Sequence, residues 1–127
     1  MHELSIAAEI LRITRASARE RKAGRVEEVI IAVGDLSSLE PDLLVYAWEA
    51  LTSRGPEDGA RLLVQWRPAR QRCPICGQEK TRSSGSWLRV CPDCGSFLMI
   101  DGGADLEILE IACAGDERRD TTTEVAA

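Results

Sequence analysis

Four of the five cysteines form two short motifs of the same design, and these motifs constrain the fold most strongly. They read CPICG at residues 73–77 and CPDCG at residues 91–95. In each, the proline stiffens a turn, and the final glycine permits a positive φ that directs backbone N–H groups towards sulfur. Two C-x2-C pairs at this spacing favour a closed tetrahedral shell around Zn²⁺. The predicted ligands of this structural zinc are Cys73, Cys76, Cys91 and Cys94.

A pair of redox-active dithiols is the alternative, but thioredoxin-like C-x2-C motifs occur singly on a βαβ unit. The N-terminus carries His2, Glu3 and Glu9 and no basic stretch, so no secretory leader is expected. We therefore expect a cytoplasmic chain whose cysteines are reduced and bind metal. Cys113 has no partner in the sequence and is expected to be a small buried hydrophobe near the end of a strand.

Periodicity predicts two helices and three strands. Apolar residues at helical spacing predict one helix over residues 4–22 and another over residues 41–53. Pro41 would occupy the first turn of the second helix, with Glu40 at or near the N-cap. The predicted strands are residues 26–33, 60–66 and 105–111. The predicted fold class is α+β: two helices on a small three-stranded sheet, with an inserted zinc-ribbon-like module of four cysteines.

This order of elements predicts a discontinuous main domain formed by residues 1–67 and 101–113. The zinc module would comprise residues 68–100, and it has too few apolar residues to fold without metal. Residues 114–127 are polar and rich in threonine, so we predict a disordered tail.

The N-terminus offers a second set of metal ligands. His2 is the only histidine, and it lies one residue from the α-amine of Met1. The amine, the amide nitrogen of His2 and its imidazole can close fused chelate rings, a nitrogen-rich set that suits Ni²⁺ or Cu²⁺. Glu3 would add a carboxylate or a further backbone amide. The alternative is an exposed terminus that only precedes a helix.

Composition argues against other functions. With one terminal histidine and no glycine-rich phosphate loop after a strand, the chain has no arrangement typical of an enzyme. The formal net charge of −5 argues against general nucleic-acid binding. One segment is locally basic, which leaves a zinc-ribbon module that binds nucleic acid or protein as the alternative function. Its basic and aromatic residues are Arg67, Arg70, Arg72, Lys80, Arg82, Trp87 and Arg89.

The MHELSI opening, the strand ending at Gly34, the LSSLE segment at residues 36–40 and the two CPxCG motifs together resemble the HypA/HybF family. These are nickel metallochaperones of [NiFe]-hydrogenase maturation. The resemblance extends to about residue 112 and implies a small α/β nickel domain with an inserted zinc domain. It implies that His2 is the principal nickel ligand, with backbone nitrogens of the first residues, including Met1, beside it. It also implies that Glu3 and Glu40 contribute to the nickel site.

The resemblance further implies that Ni(II) is transient cargo and Zn(II) a structural metal. The implied partners are the nickel-handling maturation GTPase and the hydrogenase large-subunit precursor. We expect neither nucleic acid nor a membrane as a partner, and we expect the chain to be a monomer or a weak homodimer. In one respect the sequence departs from some members, which carry histidines beside the zinc motifs. Here Gln78 and Ser96 stand at those places, so we expect zinc ligation to be insensitive to pH between neutral and mildly acidic conditions.

Overall fold

A computed structural model of the chain describes residues 2–80, 87–115 and 123–125. Helix α1 spans His2–Glu20 and helix α2 spans Pro41–Thr52, and a 3-10 turn over Asp35–Ser37 lies between them. The strands are β1 (Val26–Gly34), β2 (Arg61–Arg67), β3 (Arg70–Arg72), β4 (Glu79–Lys80), β5 (Met99–Asp101), β6 (Leu106–Cys113) and β7 (Thr123–Glu124). None of the helices in the described ranges combines the length and apolar character that a membrane crossing needs.

The larger sheet has the strand order β2-β1-β6-β7. Strand β1 is parallel to β2 and antiparallel to β6, so it is a central strand. Seven of its nine residues are buried. A parallel pair needs a crossover connection, and α2 supplies it between β1 and β2. The continuous apolar run of β1 is explained by this central position.

One apolar cluster joins both helices to this sheet, as the predicted α+β class requires. Pro41 begins α2 and Glu40 is its N-cap residue, as predicted. Trp48 of α2 is fully buried, and its Nε1 donates a hydrogen bond to the carbonyl of Ala60 at 2.9 Å. The residues of α1 that enter the cluster with the least exposure are Ile6, Ala7, Ile10 and Leu11.

The sheet has a fourth strand that the sequence analysis did not predict. Strand β7 pairs antiparallel with β6, and Val125, which is 4% exposed, joins the apolar cluster. The expectation of a disordered tail therefore does not hold for residues 123–125. A strand of two residues in a polar stretch has no periodicity of its own, because its pairing depends on the edge of β6. Residues 116–122 and 126–127 of the predicted tail lie outside the described residues.

A smaller sheet, of order β4-β3-β5, carries the two cysteine turns, and the chain returns from it to β6 of the larger sheet. The two sheets meet where β1 ends. There the backbone N–H of Leu36 donates to the carbonyl of Gly103 at 2.7 Å, and the N–H of Ala69 donates to Asp35 Oδ2 at 3.0 Å. A Cβ on Gly34 would overlap the carbonyl group of Gly103, so glycine permits the close approach.

Candidate metal centres

The first cysteine motif forms a tight turn between β3 and β4. Gly77 has a φ of +71°, and its N–H donates to the carbonyl of Cys73 at 2.8 Å. The N–H of Cys76 donates to Cys73 Sγ at 3.3 Å. The predicted positive φ after the second cysteine is confirmed, and the turn directs a backbone donor at sulfur as expected.

The second motif repeats this turn. Gly95 has a φ of +75°, and its N–H donates to the carbonyl of Cys91 at 2.9 Å. Burial raises the pKa of Cys91, but hydrogen bonds from the backbone N–H groups of Asp93 and Cys94 outweigh it and bring the pKa below its ordinary value. The turn therefore favours the thiolate, the form that binds metal.

The two turns bring four sulfurs together. Cys73 Sγ lies 3.5 Å from Cys94 Sγ, Cys76 Sγ lies 3.9 Å from Cys91 Sγ, and all four atoms lie within 4.8 Å of one another. In a tetrahedral shell with metal–sulfur bonds of about 2.3 Å, the sulfurs would be roughly 3.8 Å apart. The spacing of these four sulfurs therefore fits zinc without rearrangement of the turns.

Two thiols of the cluster have pKa values that are shifted in opposite directions. Hydrogen bonds from Ser96 lower the pKa of Cys94 to about 6, and the hydroxyl of Ser96 contributes more to this than its backbone N–H. Hydrogen bonding with the sulfurs of Cys94 and Cys73 raises the pKa of Cys76 to about 12. At neutral pH, without metal, Cys94 is therefore a thiolate and Cys76 a neutral thiol. A metal ion that binds all four sulfurs must displace the remaining protons.

Gln71 holds the segment that precedes the second turn against the small sheet, a role that the sequence does not predict. It is 4% exposed, its Nε2 donates to the carbonyl of Leu88 at 2.8 Å, and its Oε1 accepts from the N–H of Leu88 at 2.9 Å. A glutamine in a polar segment carries no signal for such a contact, because its partner is a backbone group 17 residues away.

The basic segment of the alternative function is partly neutralised by acids. Arg67 Nη1 lies 2.8 Å from Asp105 Oδ2, and Arg70 Nη1 lies 3.8 Å from Glu79 Oε2. Paired cations are less available to phosphates, so the arrangement weakens the nucleic-acid alternative. Arg82 lies outside the described residues.

The N-terminal segment continues directly into a helix, because α1 begins at His2. Met1 lies outside the described residues, and His2 is described by its backbone alone. Glu3 lies in the first turn of α1, and its Oε2 accepts a hydrogen bond from the N–H of Glu40 at 3.2 Å. The structure therefore brings Glu3 and the start of α2 together across 37 residues of sequence.

Glu40 occupies the N-cap position of α2, yet within the described residues its carboxylate makes no capping hydrogen bond. Its side chain is exposed. The carboxylate of Glu40 is thus left available on the surface next to the first turn of α1. The positional expectation for Glu40 is confirmed, whereas a capping role for its side chain is not observed.

Cys113 is the last residue of β6 and is 3% exposed, as expected for a small buried side chain near a strand end. Its Sγ lies 3.5 Å from Arg21 Nη2. It is not part of the cluster formed by the other four cysteines.

The sequence is similar to known proteins over most of its length. A family profile described as "Hydrogenase/urease nickel incorporation, metallochaperone, hypA" matches residues 1–113. A hydrogenase maturation factor HypA from Geotalea uraniireducens (strain Rf4) is 37% identical over 112 residues, which cover 87% of this chain and 97% of the relative. The corresponding protein of Geobacter metallireducens is 35% identical over the same shares of both chains.

Two solved structures share the fold. The solution structure of the Ni metallochaperone HypA from Helicobacter pylori is 19% identical with a TM-score of 0.58, and the match covers 90% of this chain and 98% of that one. A second solution structure of a HypA protein is 21% identical with a TM-score of 0.64, over 91% and 98% of the two chains.

Proposed function

Because this chain belongs to the HypA family of nickel-incorporation metallochaperones, which are not enzymes, we propose that it binds Ni(II) at its N-terminus and delivers it for [NiFe]-hydrogenase maturation. The observation that carries the proposal is the hydrogen bond between Glu3 and Glu40. It places a second acidic residue beside the first turn of α1, where the predicted nickel donors lie.

The nickel donors in this proposal are the α-amine of Met1, the amide nitrogen and imidazole of His2, and the carboxylate of Glu3. The backbone supports the proposal, because the first four N–H groups of an α-helix have no acceptor within the helix. With α1 beginning at His2, these amide nitrogens are not used for helical hydrogen bonds. Nitrogen donors in such fused rings match the preference of Ni²⁺.

Glu3 and Glu40 have different parts in this proposal. Glu3 holds the start of α2 against the first turn of α1 through its hydrogen bond to the N–H of Glu40. The exposed carboxylate of Glu40 can then approach nickel from α2. Two carboxylates beside one cation stabilise it electrostatically.

We assign structural Zn(II) to Cys73, Cys76, Cys91 and Cys94. Four thiolates occupy all positions of a tetrahedral ion, so no position remains for substrate or water. The metal would hold the two cysteine turns together in a module with little apolar core. It gives the chain a rigid surface for recognition of a partner.

Delivery requires that nickel bind reversibly. Protons compete with nickel at the imidazole and the amine, and a partner with a stronger donor set can take the ion from a terminal site. We propose the maturation GTPase and the hydrogenase large-subunit precursor as these partners, in the cytoplasm, with the chain a monomer or weak homodimer. Hydrogenase maturation is the pathway in which the family acts.

The test is a calorimetric nickel titration of zinc-loaded protein with its native N-terminus. Two altered forms accompany it: His2→Ala, and a form with several residues added before Met1. We expect about one Ni²⁺ per chain for the native protein, and loss of binding in both altered forms, because each removes a donor of the terminal chelate. Arg12→Ala, an exposed change on α1 away from its first turn, is the matched control and should bind as the native protein does.

Nickel binding that survives both alterations would overturn the terminal site. In that case the zinc module as a protein-binding or nucleic-acid-binding ribbon becomes the better function. A salt-dependent shift of nucleic acid on addition of the protein would then support that alternative.

A further inference from the structure

Lys80 is a buried lysine beside the four-cysteine cluster. It ends β4, its side chain is 7% exposed, and its Nζ lies 2.6 Å from Asp93 Oδ2. Asp93 lies in the second cysteine turn, between Cys91 and Cys94, and its side chain is 68% exposed. The ion pair therefore connects the strand that follows the first cysteine turn to the middle of the second turn.

The position of the ammonium group is not explained by Asp93 alone. Removing a lysine from water costs free energy, and an exposed aspartate can be paired equally well by an exposed lysine. The ion pair instead places the charge of Lys80 beside Asp93, between the two cysteines of the second turn. The ion pair with Asp93 raises the pKa of Lys80 most, and the negative charges of Cys91 and Cys76 raise it further.

The zinc complex of the four cysteines would carry a net negative charge. Four thiolates around Zn²⁺ carry a net charge of −2, since four negative charges exceed two positive ones. Cys73 and Cys91 are buried, so water neutralises this charge only on the outer side of the cluster. No histidine replaces a thiolate, because the only histidine is at residue 2. Hydrogen bonds from the turns, such as that of the Cys76 N–H to Cys73 Sγ, stabilise part of this charge, and a nearby cation adds to them.

We propose that Lys80 is the counter-charge of the four-cysteine metal site, a positioning residue that stabilises the tetrathiolate complex and slows the loss of its metal. This rests on the proposed zinc assignment. Asp93 orients the ammonium, while its own negative charge opposes the thiolate complex. Electrostatic stabilisation of this kind depends on the charge of residue 80, and salt weakens it on the side where Asp93, Cys76 and Cys94 are exposed.

The experiment measures the rate at which zinc passes from the folded, zinc-loaded chain to a chromogenic chelator in excess. Lys80→Met keeps the apolar stem and removes the charge, and Lys80→Arg keeps the charge. We expect Lys80→Met to release zinc about tenfold faster and Lys80→Arg to stay within about threefold of the native rate. The ratio of the Lys80→Met rate to the native rate should shrink in 1 M salt, where the screening length is about 3 Å.

Lys22→Met makes the same chemical change at an exposed site of the other domain, and its zinc release should match the native rate. Asp93→Asn distinguishes charge from a simple tether, because it breaks the ion pair and leaves the ammonium in place. We expect a smaller effect from Asp93→Asn than from Lys80→Met. Equal effects that do not change with salt would show that Lys80 is only a tether and would overturn the proposal, as would a native release rate in Lys80→Met.

Cobalt substitution provides the second measurement. The visible absorption of Co²⁺ in the cluster reports tetrahedral sulfur coordination, and it should keep its shape in Lys80→Met while the affinity for Co²⁺ falls. A changed shape would mean that the turns themselves had rearranged, which contradicts a purely electrostatic role. If the native chain binds neither Zn²⁺ nor Co²⁺ at its cysteines, the zinc assignment itself fails. If the native chain binds both metals and Lys80→Met binds and releases them as the native chain does, only the role of Lys80 fails.

Discussion

Glu3 Oε2 accepts a hydrogen bond from the backbone N–H of Glu40 at 3.2 Å, and this contact joins the first turn of α1 to the N-cap of α2. The two glutamates that the family resemblance connects with nickel thus lie at one place on the surface. A side chain that orients a ligand segment contributes to affinity even where it does not touch the metal.

We therefore expect Glu3→Ala to weaken nickel binding about tenfold in a calorimetric titration at constant pH. The variant removes both the acceptor that holds Glu40 and one negative charge beside nickel. Glu3→Gln keeps a carbonyl acceptor for the N–H of Glu40 and should lose less affinity than Glu3→Ala. Native affinity in Glu3→Ala would exclude Glu3 from the nickel site in either role.

The interaction of Glu3 with Glu40 shows what sequence patterns do not contain. Periodicity identified α2 and its Pro41 start, because a helix is a local structure with an apolar face. A hydrogen bond between a side chain and a backbone group 37 residues away depends on how the two helices pack. The position of Glu40 was therefore predictable, and its partner was not.

The cysteine module shows the same division. The spacing of the cysteines predicted both turns and the sulfur cluster, since each motif determines its own backbone geometry. The strands β3, β4 and β5 were not predicted, because three residues or fewer give no alternation and the cluster rather than an apolar face organises them. The contacts of Gln71 and Lys80 likewise depend on this packing.

The two proposed metals should respond differently to acid. An imidazole has an ordinary pKa of about 6.5, so protons displace nickel from His2 as the pH falls through this range. The zinc ligands are all cysteines, and one of them, Cys94, has a pKa lowered to about 6 even without metal. We expect nickel affinity to fall at least about tenfold between pH 7.5 and about 5.5 while zinc stays bound.

X-ray absorption at the nickel and zinc edges tests whether the two sites differ in their response to pH. Nickel should lose its nitrogen ligands at the lower pH, while zinc should keep four sulfur neighbours at both. A shift of zinc to mixed sulfur and nitrogen coordination would contradict the prediction. His2→Ala controls for nickel that binds elsewhere, because its residual binding should not depend on an imidazole.

An ion pair between α1 and the turn before β2 predicts the response of the fold to acid. Glu57, whose side chain is 8% exposed, accepts hydrogen bonds from Arg15 Nη2 at 2.8 Å and Nε at 3.0 Å. These bonds hold the pKa of Glu57 below its ordinary value of 4.5. Since the folded pKa is the lower one, the stabilisation is fully present above about pH 4.5 and is lost as the pH falls through the folded pKa.

Glu57→Gln should therefore lower the free energy of unfolding at pH 7 by about 1 kcal/mol, because Arg15 is partly exposed and water screens the pair. The difference from the native protein should shrink in urea unfolding curves as the pH falls below 4.5 and through the folded pKa of Glu57. Glu9→Gln is the control, since it breaks an exposed ion pair with Arg12 within one helix and should have a smaller effect. Equal unfolding free energies for Glu57→Gln and the native protein at pH 7 would contradict the prediction.

The junction between the two sheets predicts unequal effects for two neighbouring glycines. Gly102 and Gly103 have φ angles of +73° and +81°, which cost a residue with a Cβ about 1–2 kcal/mol. A Cβ on Gly102 would meet open space, whereas one on Gly103 would overlap the backbone and side chain of Ala69. Gly103→Ala should therefore destabilise the zinc-loaded protein by at least about 1 kcal/mol more than Gly102→Ala in urea unfolding. Equal losses would show that the backbone at Ala69 moves away without cost, and that the two sheets are not held in close contact there.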